Sequence, residues 1–446
     1  MRIVFIAPPR FNDGRFVEAE DCCSGLTTTR VLPAMLLACA SEAKRAGHDV
    51  AFVDLAIDSP SALRGFEIAI YSLEWLSYAE IHHTLSQVCL DIPQIVIAAP
   101  PGHADDYAQL SPVPFCVVYS EPEKVVASLP LAVAGLPGWR TEEARGVIWY
   151  DGNILHHKEY LPTCLHELGP VDYSLVPTHY WPHYTTIIYQ ATRGCPYHCK
   201  FCAWGGSTIT DTTFRMRPAA QVTRDIEQIC KFVGTAKGRP ALYILCAQLT
   251  TNQSWLEDFS AAMAMVGYPF VSNVNLREVT DEKLTLLREA GAHMISAGLE
   301  NSSDVLLAML AKPYTFDEAL AGIRIIGRSG IPFSLHVRSG FGETAEEVRE
   351  SIQGLRQIAA LNSNNIKMNL GPLIYQPGTV LERDAIHSLT RHPDYQNACY
   401  WWAEAPHEAW LEYACEMVQL RLSSRRNLRG YPAFFRQAFS KRLQDG

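Results

Sequence analysis

The chain has 446 residues, 48% of them hydrophobic and 19% charged, with a formal net charge of −9. That length holds two or three ordinary globular domains, and the acidic excess argues against a general nucleic-acid binder. No stretch approaches the roughly 20 consecutive apolar residues of a membrane span, and residues 1–7 are too short for the apolar core of a signal peptide, so the thirteen cysteines are expected as reduced thiols in a cytoplasmic protein.

Short apolar, β-branched runs at 3–7, 50–54, 67–72, 94–99 and 115–119 read as strands. Helical stretches lie between them, one over 36–46 that closes at Gly47 and another reaching about residue 88. Apolar strands alternating with helices predict a parallel sheet covered on both faces, a Rossmann-like domain over 1–145. Ligands in such sheets bind at the carboxyl ends of the strands. The long polar loop 10–27, with Cys22 and Cys23 in it, follows the first strand toward that edge. Long ordered loops are often functional.

Residues 147–154 predict a small hairpin with Asp151-Gly152 at its turn. A proline-containing connection over 168–182 completes a linker, taken as 146–182. A strand at 185–189 leads into Arg193-Gly194-Cys195-Pro196-Tyr197-His198-Cys199-Lys200-Phe201-Cys202. Gly194 and Pro196 favour a bent loop there. Cys195, Cys199 and Cys202 are three soft ligands on one short loop, able to hold three corners of a cubane iron–sulfur cluster and leave the fourth iron open to a small molecule. A zinc site would want a fourth Cys or His, usually from a second knuckle, and no second C-x-x-C follows. A disulfide is unexpected in a chain without a secretory signal. About six strand–helix units then run to residue 385, too few to close an eight-stranded barrel.

These residues resemble the radical S-adenosylmethionine (SAM) superfamily. Phe201 stands where that family places an aromatic beside the adenine of SAM. Gly298-Leu299-Glu300-Asn301-Ser302, Gly340-Phe341-Gly342-Glu343-Thr344 and Gln376-Pro377-Gly378-Thr379 follow in the family's order. The resemblance implies a partial (β/α)6 barrel over 183–385, a [4Fe-4S] cluster at its mouth, SAM, and a one-electron reductant such as flavodoxin or ferredoxin. It implies SAM contacts from Glu300, with a helix-capping carboxylate as the bland alternative, and from Arg338, with a barrel-mouth salt bridge as its alternative. Where many members carry Asp-Asp, this chain has Cys246-Ala247-Gln248, so Gln248 or backbone carbonyls would meet the methionyl amine.

Residues 1–145 resemble the cobalamin-binding domain that precedes the barrel in one large subgroup. Ala46-Gly47-His48-Asp49-Val50 matches its turn, and Ser120-Glu121-Pro122-Glu123 stands at a G-E-x-E segment. Ser72, Gly102 and Glu121 are the candidate corrinoid contacts. Two departures stand out. There is no D-x-H-x-x-G to offer a lower cobalt ligand, and Ala99-Pro100-Pro101-Gly102 replaces the usual Gly-Gly. Proline is bulkier and stiffer than glycine beside a nucleotide tail.

The last segment, 386–446, reads as a helical, aromatic and basic extension with Tyr400-Trp401-Trp402, Trp410 and several arginines. An amphipathic helix closing the barrel is one reading; a surface for an acidic substrate or peptide is the other. Cys399 and Cys415 are candidate hydrogen-atom donors, against the bland reading of buried cysteines. The resemblance implies SAM cleavage to a deoxyadenosyl radical that takes hydrogen from an unactivated carbon, with a cobalamin-dependent C-methyltransferase acting on a small molecule or peptide as the leading expectation. A cobalamin-independent epimerase or cyclase using Cys399 or Cys415 is the first rival, and a non-catalytic cluster- or corrinoid-binding module the second.

Overall fold

The computed structural model describes residues 1–7, 31–72, 92–97, 115–118, 122–133, 146–150, 155–158, 164–207, 212–233, 239–339, 341, 343–373, 378–385, 389–391 and 401–403. It is an α/β protein with two large sheets. The strands are β1 (Arg2–Ala7), β2 (Val31–Leu32), β3 (Asp49–Asp54), β4 (Ile68–Ser72), β5 (Gln94–Ile97), β6 (Phe115–Val118), β7 (Val147–Tyr150), β8 (Leu155–Lys158), β9 (Thr186–Gln190), β10 (Thr192–Arg193), β11 (Arg215–Met216), β12 (Ala241–Leu245), β13 (Phe270–Asn273), β14 (Ala292–Glu300), β15 (Phe333–Ser339), β16 (Ile366–Pro372), β17 (Leu389–Arg391) and β18 (Trp401–Ala403). The last two pair antiparallel, so the described part of the extension expected to be helical is a strand pair, with Trp401 and Trp402 in the β-prone run that forms it. The helices are α1 (Ala34–Arg45), α2 (Pro122–Val133), α3 (Ala219–Val233), α4 (Gln253–Val266), α5 (Asp281–Glu289), α6 (Asp304–Met309), α7 (Phe316–Ser329), α8 (Ala345–Ala360) and α9 (Val380–Ala385).

The first sheet has the order β3-β1-β4-β5-β6-β7-β8. Its first five strands are parallel, and their strand order is that of open doubly wound sheets, with the reversal between β1 and β4. Ile3, Val4, Phe5, Ile6, Ile68, Ala69, Ile70, Ile95 and Val96 are fully buried. Such continuous apolar runs suit strands covered on both faces. The hairpin β7–β8 pairs antiparallel onto β6, so the segment expected to open the linker belongs to this sheet. A four-residue apolar strand beside a turn reads the same from sequence whether or not a sheet edge lies within reach.

The second sheet is β16-β15-β14-β13-β12-β9-β2, parallel throughout. Among the described residues its end strands β16 and β2 do not pair with each other. Six strands come from residues 186–372 and a seventh, β2, from near the N-terminus. Val31 and Leu32 pair with Thr186 and Ile187, and the chain then turns at once into α1, which packs on the first sheet. Two residues carry no periodicity, so this strand was not expected. Helices α3, α4, α5 and α7 pack each on the next around the outside. Leu242, Ile244, Phe270, Ile295, Leu299, Phe333, Leu335 and Val337 are buried, each contributing about 1.5–3 kcal/mol over exposure. The alternate positions Gln190, Tyr243, Asn273, Ser296, Ser334, His336 and Arg338 occupy the other face by the strand period of two.

The helix ends follow their sequence signals. Thr315 with Glu318, and Thr344 with Glu347, form reciprocal capping boxes on α7 and α8. The second of these gives Thr344 of the Gly340–Thr344 turn a structural task. Residues 168–184 tie the two sheets together. Gly169 N donates to Glu42 Oε1 at 2.9 Å, Lys44 reaches Asp172 at 2.7 Å, and Tyr184 Oη donates to Asp54 at 2.8 Å. On the barrel side, Gln221 Nε2 donates to the Leu168 carbonyl at 2.9 Å.

Candidate active site

The three cysteines lie on a loop clamped at its base. Strand β10 pairs antiparallel with β11, joining Arg193 to Arg215, and Cys195 N donates to the Thr212 carbonyl at 3.0 Å. Gly194 has φ of +65°, and a side chain there would collide with the Thr213 carbonyl, so only glycine starts the loop in this direction. At the far end Gly205 and Gly206 pass so close to the Tyr197 and Cys199 carbonyls that a Cβ would not fit. This pair was not singled out in the sequence, though adjacent glycines three residues past the last cysteine are the available signal. Two further segments brace the loop. Lys200 N donates to the Leu310 carbonyl at 3.0 Å, while Leu381 N and Val380 N donate to the Lys200 and Gly206 carbonyls, each at 2.9 Å. The last two place the segment after Gly378-Thr379 directly against the cluster loop, and Thr379 itself bridges Ser207.

The thiols sense one another. Burial first, and then Cys199, push the Cys195 thiol up; burial, then Cys199 and Cys195, push Cys202 up to about 12. Burial also raises Cys199, against the pull of Lys312. Three thiols near enough to resist each other's ionisation form one donor set, and a bound cation would displace their protons. Among the described residues no three His, Cys, Asp or Glu side chains converge on a single-ion position. A cubane places each cysteine on a different iron and does not ask for that convergence. The donor set therefore fits a cluster.

Lys312 is the residue that the sequence concealed. Its ammonium is 9% exposed, 3.3 Å from Glu300 Oε1 and 2.7 Å from the Gly298 carbonyl. It lies 5.7 Å from the Phe201 ring centroid and 5.1 Å from that of Tyr314. Burial opposes its charge, but Tyr314, Glu300 and Cys199 outweigh burial and push it well above the usual lysine value. A lone lysine past a short helix carries no signal in a sequence; only the fold shows that it is buried beside a carboxylate and a cysteine. Glu300 ends β14 with φ of +65°, a strained setting for a residue with a side chain. Its carboxylate folds back over Gly298, where any Cβ would strike it, which explains the glycine two residues earlier. Glu300 does not cap the following helix: α6 starts at Asp304 behind Ser303, and the carboxylate is engaged by Lys312.

Gln248 lies on the loop after β12, buried, with Nε2 4.0 Å from Cys195 Sγ and Oε1 lacking a partner. Cys246 is fully buried and pushed up to about 12 by burial. Nearby, Tyr197 Oη donates to Glu278, whose other oxygen accepts from Thr250 at 3.2 Å and Thr251 at 3.0 Å. Arg338 stands at the carboxyl end of β15, two residues past His336 on the same face. Burial, then Arg338 and Lys367, hold the His336 imidazole neutral, with a pKa of about 3. Phe201, Glu300 and the cysteines are thus gathered on one loop-and-strand-end cluster, with Gln248 beside Cys195. Ser72 ends β4 at the carboxyl edge of the first sheet. Cys22, Cys23, Gly102, Glu121, Cys399 and Cys415 lie outside the described residues.

Parallel strands thus carry a three-cysteine loop at their carboxyl ends. Residues 189–355 match the family model described as the radical SAM superfamily. Biotin synthase of Arthrobacter sp. (strain FB24) is 25% identical over 205 residues, 45% of this chain and 54% of that protein. Biotin synthase of Corynebacterium jeikeium (strain K411) is 24% identical over 168 residues, 37% of this chain and 45% of that protein. The chain spans about half the length of these curated relatives. Among solved structures, the radical SAM methyltransferase TsrM from Kitasatospora setae, with tryptophan substrate and a SAM analogue bound, aligns with a TM-score of 0.72 at 13% identity, covering 94% of this chain and 88% of that one. The cobalamin-dependent radical SAM enzyme OxsB, with aqua-cobalamin and SAM bound, aligns at 0.70 and 12% identity, covering 94% and 66%. Residues 189–355 are thus similar to the radical SAM superfamily, and the chain as a whole shares the fold of the TsrM and OxsB structures.

Proposed function

We infer that this radical SAM enzyme is a cobalamin-dependent C-methyltransferase acting on a small molecule or peptide. The carrying observation is the single donor set of Cys195, Cys199 and Cys202, held at the carboxyl ends of a parallel sheet with Phe201, Lys312 and Glu300 against it. The three thiolates would hold three irons of a [4Fe-4S] cluster, leaving the fourth for the amino and carboxylate groups of SAM. When bound, the cluster supplies the electron that breaks a sulfonium carbon–sulfur bond of SAM.

The remaining tasks belong to the chain. Phe201 offers a flat face for adenine. Gln248, with its unpartnered buried Oε1, accepts a hydrogen bond from the methionyl amine. Arg338 at the end of β15 provides a guanidinium for a carboxylate. Lys312 neutralises Glu300 and holds it folded back, so that the Glu300 carboxylate faces the site in one orientation. Gln248 and Glu300 are buried, which limits the water that reaches them. Cobalamin, as methyl donor, would lie at the carboxyl edge of the first sheet near the reversal between β1 and β4, with Ser72, Gly102 and Glu121 as its proposed contacts. The likeness in fold to proteins that bind cobalamin, over 94% of this chain, supports that placement.

The test is anaerobic reconstitution with ferrous iron, sulfide and hydroxocobalamin, followed by metal analysis. About four irons and one cobalt per chain are expected. Iron without cobalt would move the reading to a radical enzyme that transfers no methyl group; the absence of both would sink it.

A further inference from the structure

Among the described residues the cluster loop is anchored from the barrel side by backbone bonds, and on the side of the first sheet by a buried ion pair. Arg193 is the last residue of β10, two positions before Cys195. Its Nη2 donates to Glu123 Oε1, and its Nε to Gln190 Oε1 at 3.4 Å. The two charged side chains are 8% and 1% exposed. Glu123 belongs to the first turn of α2, where free backbone N–H groups favour a carboxylate. That turn is fixed on its other side as well: Lys124 Nζ is 3.2 Å from Glu42 Oε2 on α1. Glu123 Oε2 has no partner, so the carboxylate has Arg193 as its charged anchor.

Around Arg193 the chain has little freedom. Thr192 Oγ1 accepts from Ala247 N at 3.1 Å, and Ala191 N donates to the Leu245 carbonyl at 3.0 Å. Gly194 then turns into the left-handed region. The guanidinium of Arg193 is held two residues before Cys195, at the point where the backbone leaves β10. We propose that Glu123 is a positioning residue for the cluster loop, through which the N-terminal domain sets the site where SAM meets the open iron. A buried pair is a poor source of stability and a good source of unique geometry, because each charge tolerates only the partner's position. The α2 N-terminus follows β6, at the carboxyl edge where the first sheet would take its ligand, so occupancy of that edge and the state of the cluster are coupled through this contact.

The proposal rests on Cys195, Cys199 and Cys202 being the cluster ligands, and the experiment separates the two. Unmodified protein, E123Q, E123D, R193K and the double variant E123Q/R193M are reconstituted anaerobically with iron and sulfide. Iron is counted, folding is checked by circular dichroism, and the reduced cluster is examined by electron paramagnetic resonance while SAM is titrated. Unmodified protein without iron would sink the ligand assignment. With iron bound, E123Q and R193K are expected to need at least about tenfold more SAM for half of the spectral shift, with E123D in between. If E123Q does not fold, the double variant, which removes both charges of the pair, is expected to fold and show the same loss. Spectra and SAM titrations like those of the unmodified protein overturn the proposal, even where the melting temperature falls, since a merely structural bridge would move only the latter.

Discussion

Cys195 follows a left-handed glycine, has a glutamine amide 4.0 Å away, and is held up as a thiol by burial and then by Cys199. Removing its sulfur takes away one corner of the donor set, so Cys195→Ala is expected to lose most cluster iron and to lower anaerobic SAM cleavage at least about a hundredfold, read as deoxyadenosine by chromatography. The Lys312–Glu300 pair sets a second expectation. Lys312→Met leaves a buried carboxylate unpaired, a change that costs about 3–5 kcal/mol in such pairs, whereas Lys312→Met with Glu300→Gln restores much of the loss. Urea unfolding of the two variants measures the difference, and equal losses would show that the pair is not coupled. Glu300→Gln alone is expected to weaken SAM binding by calorimetry; unchanged affinity would remove Glu300 from the site.

Among the elements, the joint made by α1 and residues 168–184 has its own dependence on acid. Burial works against the Glu42 carboxylate, but Arg45, the Gly169 N–H and Lys124 together hold it below the usual range. Burial likewise opposes Asp172, and Lys44 with Ser174 holds it down. Both folded values lie below the unfolded ones. Their stabilisation is therefore complete above the unfolded value and is lost as pH falls through the folded value. Hydrogen exchange at Gly169 and Asp172 is expected to accelerate, relative to the β12–β15 amides, as pH drops from about 6 to below about 4. Uniform acceleration throughout would mean that the joint does not open by itself.

For the whole molecule, the shared strand β2 makes the two sheets interdependent. A fragment beginning at residue 164 would lack Val31 and Leu32 and leave β9 as a bare edge. Such an edge invites pairing between chains. The fragment is expected to aggregate on size-exclusion chromatography at concentrations where the full chain elutes as a discrete species, and a well-behaved fragment would show that β2 is dispensable. No helix among the described residues is long and apolar enough to cross a membrane.

What could be read in the chain were features written in consecutive residues. Cys195, Cys199 and Cys202 stand out by their spacing, and apolar runs such as 3–6 and 95–97 declare buried parallel strands by their length. What could not be read joins residues distant along the chain: Val31 to Thr186, Glu123 to Arg193, Lys312 to Glu300 across a helix. Each depends on a charge or a backbone edge being brought out of water beside one particular partner. A lysine or a two-residue strand looks the same in a sequence whether it faces solvent or not. The three-cysteine spacing and the buried strands were therefore determined by the sequence alone, while the loop's buried counter-charges, the sheet's seventh strand and the ion pair from Glu123 were decided by packing.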